Sequence, residues 1–142
     1  MKALTLWQPW ASLVAIGVKR VETRSWATSY RGPLAIHAAK VTPREARALT
    51  TQPFIYTRMV GAPFGYPEGV VLAIVELLDC VPAETWIAHE RAHGSHENVA
   101  RESELGDLSP GRFAWVLGKR ELLPKAIPAR GRQQLWNWER PS

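Results

Sequence analysis

Leu6-Trp7-Gln8-Pro9-Trp10-Ala11, followed after a short gap by Gly17-Val18-Lys19-Arg20-Val21-Glu22-Thr23-Arg24, is the stretch on which the reading of this chain turns. Lys2–Leu6 ahead of it reads as a first strand. Pro9 suits the first turn of a helix, where its missing N–H costs nothing. Trp10, Leu13, Val14 and Ile16 then recur at helical spacing and give one apolar face. Gly17 is a natural stop. Beyond it, Val18–Arg24 alternates as an extended segment, with Lys19, Val21 and Thr23 on one side and Arg20, Glu22 and Arg24 on the other.

Working outward, Arg31-Gly32-Pro33 is a turn and Leu34–Ala39 a buried strand carrying His37. Thr42-Pro43-Arg44-Glu45 has the residues of a helix start. Residues 52–69 are punctuated by Pro53, Gly61, Pro63, Gly65, Pro67 and Gly69, and read as an irregular loop. Val70–Leu78 is apolar and β-branched, the strongest strand pattern, with Glu76 inside it. Pro82–Arg91 reads as helix, 93–111 as polar and partly helical. Arg112–Leu117, Leu122–Ile127 and Gln133–Trp138 read as three further extended pieces. Short strands with inserted helices predict an α+β fold, a small barrel decorated by helices, in one domain spanning 1–142.

The chain has 142 residues, 46% of them apolar, which suffices for one core. No apolar run reaches the roughly 20 residues a membrane helix needs. The first residues are too short an apolar stretch for a signal peptide. Cys80 is the single cysteine, so no internal disulfide forms, and a cytoplasmic setting is expected. Net charge is +5, unevenly spread. Residues 83–107 carry six acids and two bases, so the rest is strongly basic. A basic body suits a polyanionic partner such as nucleic acid, and equally a well-solvated surface. Seven tryptophans stand among these arginines and lysines, each either core or a platform for a base.

Three constellations bear on chemistry. The dense polar segment Lys19–Arg24 offers Lys19 as a base or phosphate ligand, and Glu22 and Arg24 to fix a substrate; it also reads as a charged strand edge that opposes aggregation. His89-Glu90-Arg91-Ala92-His93 matches the H-E-x-x-H zinc pattern, with His96 nearby, but Gly94-Ser95 ends its helix at once and the longer metalloprotease pattern is absent. Plain surface histidines are the simpler reading. Cys80 reads as a core thiol rather than a nucleophile paired with His37, and Ser12 as a solvent-facing residue on the first helix. No phosphate loop and no G-x-G-x-x-G fingerprint occurs, so no cofactor and no metal is expected.

The two opening segments resemble the ASCH domain of the PUA-like superfamily, marked by a Q-P-[WY]-A helix start followed by G-x-K-x-x-E-x-R. Weaker matches follow at Gly32–Ala38, Gly69–Asp79 and Ala126–Gly131. The resemblance implies a small PUA-like β-barrel with helices packed around it, a cleft between barrel and helices, and RNA or DNA binding. Some bacterial members are amidohydrolases that remove the acyl group from N4-acetylcytidine with a Lys, a Thr and a Glu. Carried over, these imply Lys19 as base, Glu22 at the Thr position with Thr23 adjacent, and Glu97, before Asn98, as the distant Glu, with Glu76 a second candidate. The implied substrate contacts are Trp10, Arg24, Trp26, Tyr30, His37, Lys40 and Glu76. The resemblance thus implies a cytosine nucleoside or RNA as partner, to a monomer or weak dimer, with amide hydrolysis or binding alone as the two outcomes.

Overall fold

A computed structural model describes residues 1–142. Its elements run β1 (Lys2–Leu6), α1 (Trp10–Ala15), β2 (Val21–Arg24), β3 (Gly32–Ala38), α2 (Arg44–Ala48), α3 (Pro53–Met59), β4 (Val70–Pro82), α4 (Ala83–Ala92), α5 (His96–Leu105), β5 (Phe113–Pro128) and β6 (Leu135–Asn137). The strands form one sheet in the order β2-β5-β4-β3-β1-β6, antiparallel except for the β1–β3 pair. β2 and β6 are its two edges, yet residues of β2 and of the β1–β6 end border one cavity, described below. The sheet therefore curls into an open half-barrel, as the α+β barrel reading expects. Register shifts on β4 between Val71 and Ala73, Val75 and Leu77, and Leu77 and Asp79 supply the bend.

The core sits in the curl. Leu4, Leu6, Leu34, Ile36, Leu72, Val75, Leu77 and Trp115 face Val14 and the alanines of α1. On the other face of β1, Ala3 packs with Leu123, Trp136 and Trp138. At roughly 25 cal/mol per Å² of apolar surface removed from water, burial of these side chains is the main force closing the barrel.

The Gln-Pro-Trp-Ala start works by hydrogen bonds. Gln8 Oε1 accepts the Ser12 N–H at 3.0 Å, holding an orphan donor of the first turn, and Gln8 Nε2 donates to the Pro67 carbonyl at 2.8 Å. Ser12, expected at the solvent, is wholly buried and donates to the Gly65 carbonyl at 2.8 Å. Its position on α1 faces the 60–69 loop, which the helical periodicity of one segment does not reveal. Gly17 adopts φ +82°, and a Cβ there would collide with the Arg120 guanidinium.

The structure departs from the sequence reading in two further places and makes a third more definite. Residues 53–59 form helix α3, because Pro53 at its start favours rather than breaks it and Ile55 is pulled into contact with Leu13 and Leu105. The two pieces Arg112–Leu117 and Leu122–Ile127 fall on one strand, β5, which pairs with β4 along most of its length; Arg120 and Glu121 continue the ladder between them, past an irregularity that holds Gly118 and Lys119. The polar stretch after His93 contains α5, anchored by Val99, Glu102 and Leu105.

Candidate functional site

Four of the seven tryptophans (Trp86, Trp115, Trp136, Trp138) belong to the core. The other three, Trp7, Trp10 and Trp26, line one cavity of about 650 Å³. That volume is within the range of small-molecule sites. Thr5 and Leu6 of β1 and Glu22, Thr23 and Arg24 of β2 form its walls; Gly106, Asp107, Arg112 and Arg132–Gln134 close the rim.

Trp10 is fixed by its indole N–H, which donates to the Leu105 carbonyl at 2.9 Å. Trp26 stands edge-on to Trp115 with ring centroids 4.8 Å apart, and the Arg24 guanidinium lies 5.7 Å from its ring centre, a cation–π contact. Trp7 is 53% exposed and presents its ring at the mouth. Glu22 and Thr23 are both buried. Alternation places them on opposite faces, but β2 pairs on one side only, with β5, so its free edge as well as its face borders the cavity. Glu22 Oε1 accepts the Thr23 N–H at 2.7 Å, which leaves the second carboxylate oxygen without a protein partner. Arg112 Nη2 donates to the Thr23 carbonyl at 3.0 Å, while its Nε, buried, has no hydrogen-bond partner. Asp107 Oδ2 stands 3.6 Å from that Nε. Hydrogen bonds from Ser109, and then the Arg112 charge, hold the Asp107 carboxyl below the usual carboxylate range.

Lys19 is placed differently from expectation. It is fully buried, its ammonium donates to the Val21 carbonyl, and it stands 4.0 Å from Glu102 Oε1. Gly106 lies between it and the cavity: a Cβ there would stand 2.9 Å from Lys19 Nζ. The carboxylate that meets Lys19 is Glu102, not Glu97. Glu97 is exposed in the first turn of α5 and borders neither of the two cavities described here, because α5 turns its Val99–Glu102–Leu105 face inward. Glu102 also accepts the N–H groups of Arg20 and Val21, both at 3.1 Å, and the Arg101 Nε at 3.0 Å.

Tyr30 and Glu76 also lie outside the cavity. The Tyr30 hydroxyl donates to the Pro33 carbonyl, and Glu76 stands opposite Pro33 on β4, an interior strand of the sheet. His37 and Lys40 line a second groove on the far side of residues 128–133. His89 and His93 are exposed with rings stacked at 4.2 Å, and no group of three or more metal-ligating side chains occurs. Cys80, half-buried, lies across from Trp115 on β5, remote in register from His37, which pairs with Val71.

His37 holds the rim in place. Its Nε2–H donates to the Ala129 carbonyl at 2.7 Å, so Nδ1 is the acceptor of the Thr5 hydroxyl at 3.1 Å; Thr5 in turn accepts the Trp136 indole N–H at 3.0 Å. Burial lowers the His37 pKa, opposed in part by the bond to Ala129. A histidine held neutral in the fold binds its proton more readily when unfolded. Stability is therefore complete above about pH 6.5, the unfolded value, and falls as pH drops below it. Chemical denaturation between pH 7.5 and 5 is expected to show this loss, at most about 1.4 kcal/mol per pH unit. His37→Gln should flatten that dependence; an unchanged slope would refute the assignment.

The half-barrel, its Gln-Pro-Trp-Ala helix start and the cavity between sheet edges define a domain of the PUA-like class. The chain belongs to the ASCH domain family, whose model matches residues 4–122. That family is linked to RNA binding. The chain is similar to activating signal cointegrator 1 of Homo sapiens, 32% identical over 136 residues, and of Mus musculus, 30% identical over 136 residues, with 94% of this chain matched in each. It spans about a fifth of the length of those relatives, 21%. Among solved structures it resembles the ASCH protein of Zymomonas mobilis, with TM-score 0.56, 16% identity and coverage of 98% of this chain and 87% of that one. At that identity the likeness concerns the fold.

The site residues missed by the sequence reading are Thr5, Trp7, Arg112, Arg132–Gln134 and Glu102. Among those that line the cavity, only Trp7 carried a local signal, as the one aromatic between a strand and a helix. Arg132–Gln134 reaches the cavity through the pairing of β6 with β1, a contact across nearly the whole chain.

Proposed function

We propose that the cavity binds one base of an RNA strand, and that the base is cytosine-like. One observation carries this reading: the three tryptophans outside the core converge on the same cavity as a buried carboxylate and three arginines. Indole faces stack any base. The free oxygen of Glu22 suits an exocyclic amino group, the donor that distinguishes cytosine from uracil. Arg24, Arg112 and Arg132 suit phosphate or carbonyl oxygens. Titration of the tryptophan fluorescence with C-centred and U-centred pentanucleotides tests it. The C-centred strand is expected to bind about tenfold tighter, and Glu22→Gln to erase that preference. Equal affinities for wild-type protein would overturn the reading.

Hydrolysis of an N4-acylated cytosine is a second reading, favoured by Glu22 and Thr23 sharing the cavity. In it Glu22 takes a proton from water, which attacks the acyl carbonyl, or the Thr23 hydroxyl attacks first and water then hydrolyses the acyl-Thr23 ester, restoring the hydroxyl. The amide C–N bond breaks, the acyl group leaves as a carboxylic acid, and N4 takes up the proton. Lys19 has no direct role in this version, since its ammonium is engaged with Val21 and Glu102. Purified protein is expected to release acetate from N4-acetylcytidine, and Glu22→Gln to stop it. Absence of acetate release by the wild type would leave binding alone.

A further inference from the structure

We infer that the strand leaves the base cavity over Arg132 and lays its phosphates in the adjoining groove of Lys40 and Arg130, so that the ligand is a single-stranded oligonucleotide rather than a free nucleoside. This rests on the base-binding reading above and names the substrate class of the same site.

The adjoining groove, about 1060 Å³, shares Thr5, Arg132 and Gln133 with the base cavity, so the two lie side by side with Arg132 on both. Its cations are Lys40, Arg130 and Arg132, all exposed. None of them stands within 4.0 Å of a carboxylate, although the chain holds seven other ion pairs or contacts of that kind. Three cations without a carboxylate partner on one groove are placed to meet a polyanion. The one acid bordering the groove, Glu68, stands 3.8 Å from Arg47, which offsets its charge.

The groove lacks what a second base would need. No Trp, Tyr or Phe borders it. Its one aromatic ring, His37, is 1% exposed and edge-on to Trp136. The division of labour follows from this: the first cavity holds a base, and the second holds backbone. The groove is also rigidly built. The Ala129 N–H donates to the Gly69 carbonyl at 3.1 Å, and His37 holds the Ala129 carbonyl. Gly131 passes so close to His37 and Thr5 that a Cβ would come within 2.8 Å of the Thr5 hydroxyl oxygen. The cations therefore project from a fixed backbone, which lowers the entropy cost of binding.

Neutralising three phosphates of a single strand predicts that log affinity falls with log salt at a slope of about −2. The test compares cytidine with a C-centred RNA pentanucleotide, and with the DNA strand of equal sequence, across 50–300 mM salt. The pentanucleotide is expected to bind at least tenfold tighter than cytidine at low salt, and RNA and DNA to share the slope. The double variant Lys40→Ala/Arg130→Ala should reduce the advantage of the pentanucleotide about tenfold and bring the slope to about −0.7. An unchanged slope in that variant, or cytidine binding as tightly as the pentanucleotide, would overturn the inference. Trp7→Ala separates the two readings: if it leaves pentanucleotide affinity intact while the salt slope still responds to the double variant, the phosphate track stands and the base cavity does not.

Discussion

Glu102→Ala is expected to lower stability by about 3–5 kcal/mol, the usual cost of removing one partner of a buried ion pair. For a chain of this length that is roughly 10–15 °C in melting temperature. The size follows from what Glu102 holds. It is 1% exposed, stands 4.0 Å from the Lys19 ammonium and has three hydrogen-bond donors, two backbone N–H groups at the entrance to β2 and the Arg101 guanidinium. Removing it leaves a buried ammonium with only the Val21 carbonyl, and two N–H groups without acceptors. β2 then loses the anchor that sets it beside the cavity.

Lys19→Met is the informative counterpart. Glu102 keeps its three hydrogen-bond donors in that variant, so the loss should be clearly smaller than for Glu102→Ala. In the double variant Lys19→Met/Glu102→Ala the two losses should not add, because each removes the same contact. Calorimetric melting of the four proteins measures the coupling, expected at about 1–3 kcal/mol. Additive losses would show that the two side chains do not act as a pair. A Lys19→Met protein that melts near the wild type yet loses all acetate release would instead return Lys19 to the chemistry.

Much of this arrangement was legible in the residues. The strand–turn–helix–extended order around Gln8 and Gly17 needs only local rules, Pro9 at a helix start and Gly17 at its end, and the structure contains each of those elements. Trp10, Glu22, Thr23, Arg24 and Trp26 were within reach for the same reason: all lie in one short stretch, and the structure brings them to one cavity. What failed was reach across the chain. Assigning the distant carboxylate to Glu97 relied on the neighbouring Asn98, whereas burial selects Glu102, which lies on one helical face with Val99 and Leu105. A carboxylate inside an apolar i, i+3, i+6 stripe is the signal that identifies it. Strict alternation put Glu22 and Thr23 on opposite faces, yet both residues border the cavity, which adjoins the free edge of β2. Of the second groove the sequence offered His37 and Lys40 as contacts, but not their company: Lys40 and Arg130 come together only through the pairing of β3 with β4 and β4 with β5.

The base-binding reading meets its largest consequence at Trp7. Trp7→Ala is expected to weaken binding of a C-centred pentanucleotide about 5- to 150-fold, the equivalent of about 1–3 kcal/mol for one base–aromatic stack. Trp10 and Trp26 are poorer probes. The first ties α1 to the end of α5 through its indole N–H, and the second packs on Trp115, so either substitution disturbs the fold together with the site. Trp7 is 53% exposed and makes no hydrogen bond through its ring nitrogen, so its removal exposes little new apolar surface and should leave the melting temperature within about 2 °C. An exposed indole at the mouth of a cavity has little to contribute to folding and a full face to offer a ligand. Isothermal titration beside thermal melting separates the two roles. Lost affinity with an unchanged melt is the expected result, whereas a lowered melt with undiminished affinity would show that Trp7 serves the fold and that the cavity takes its ligand without it.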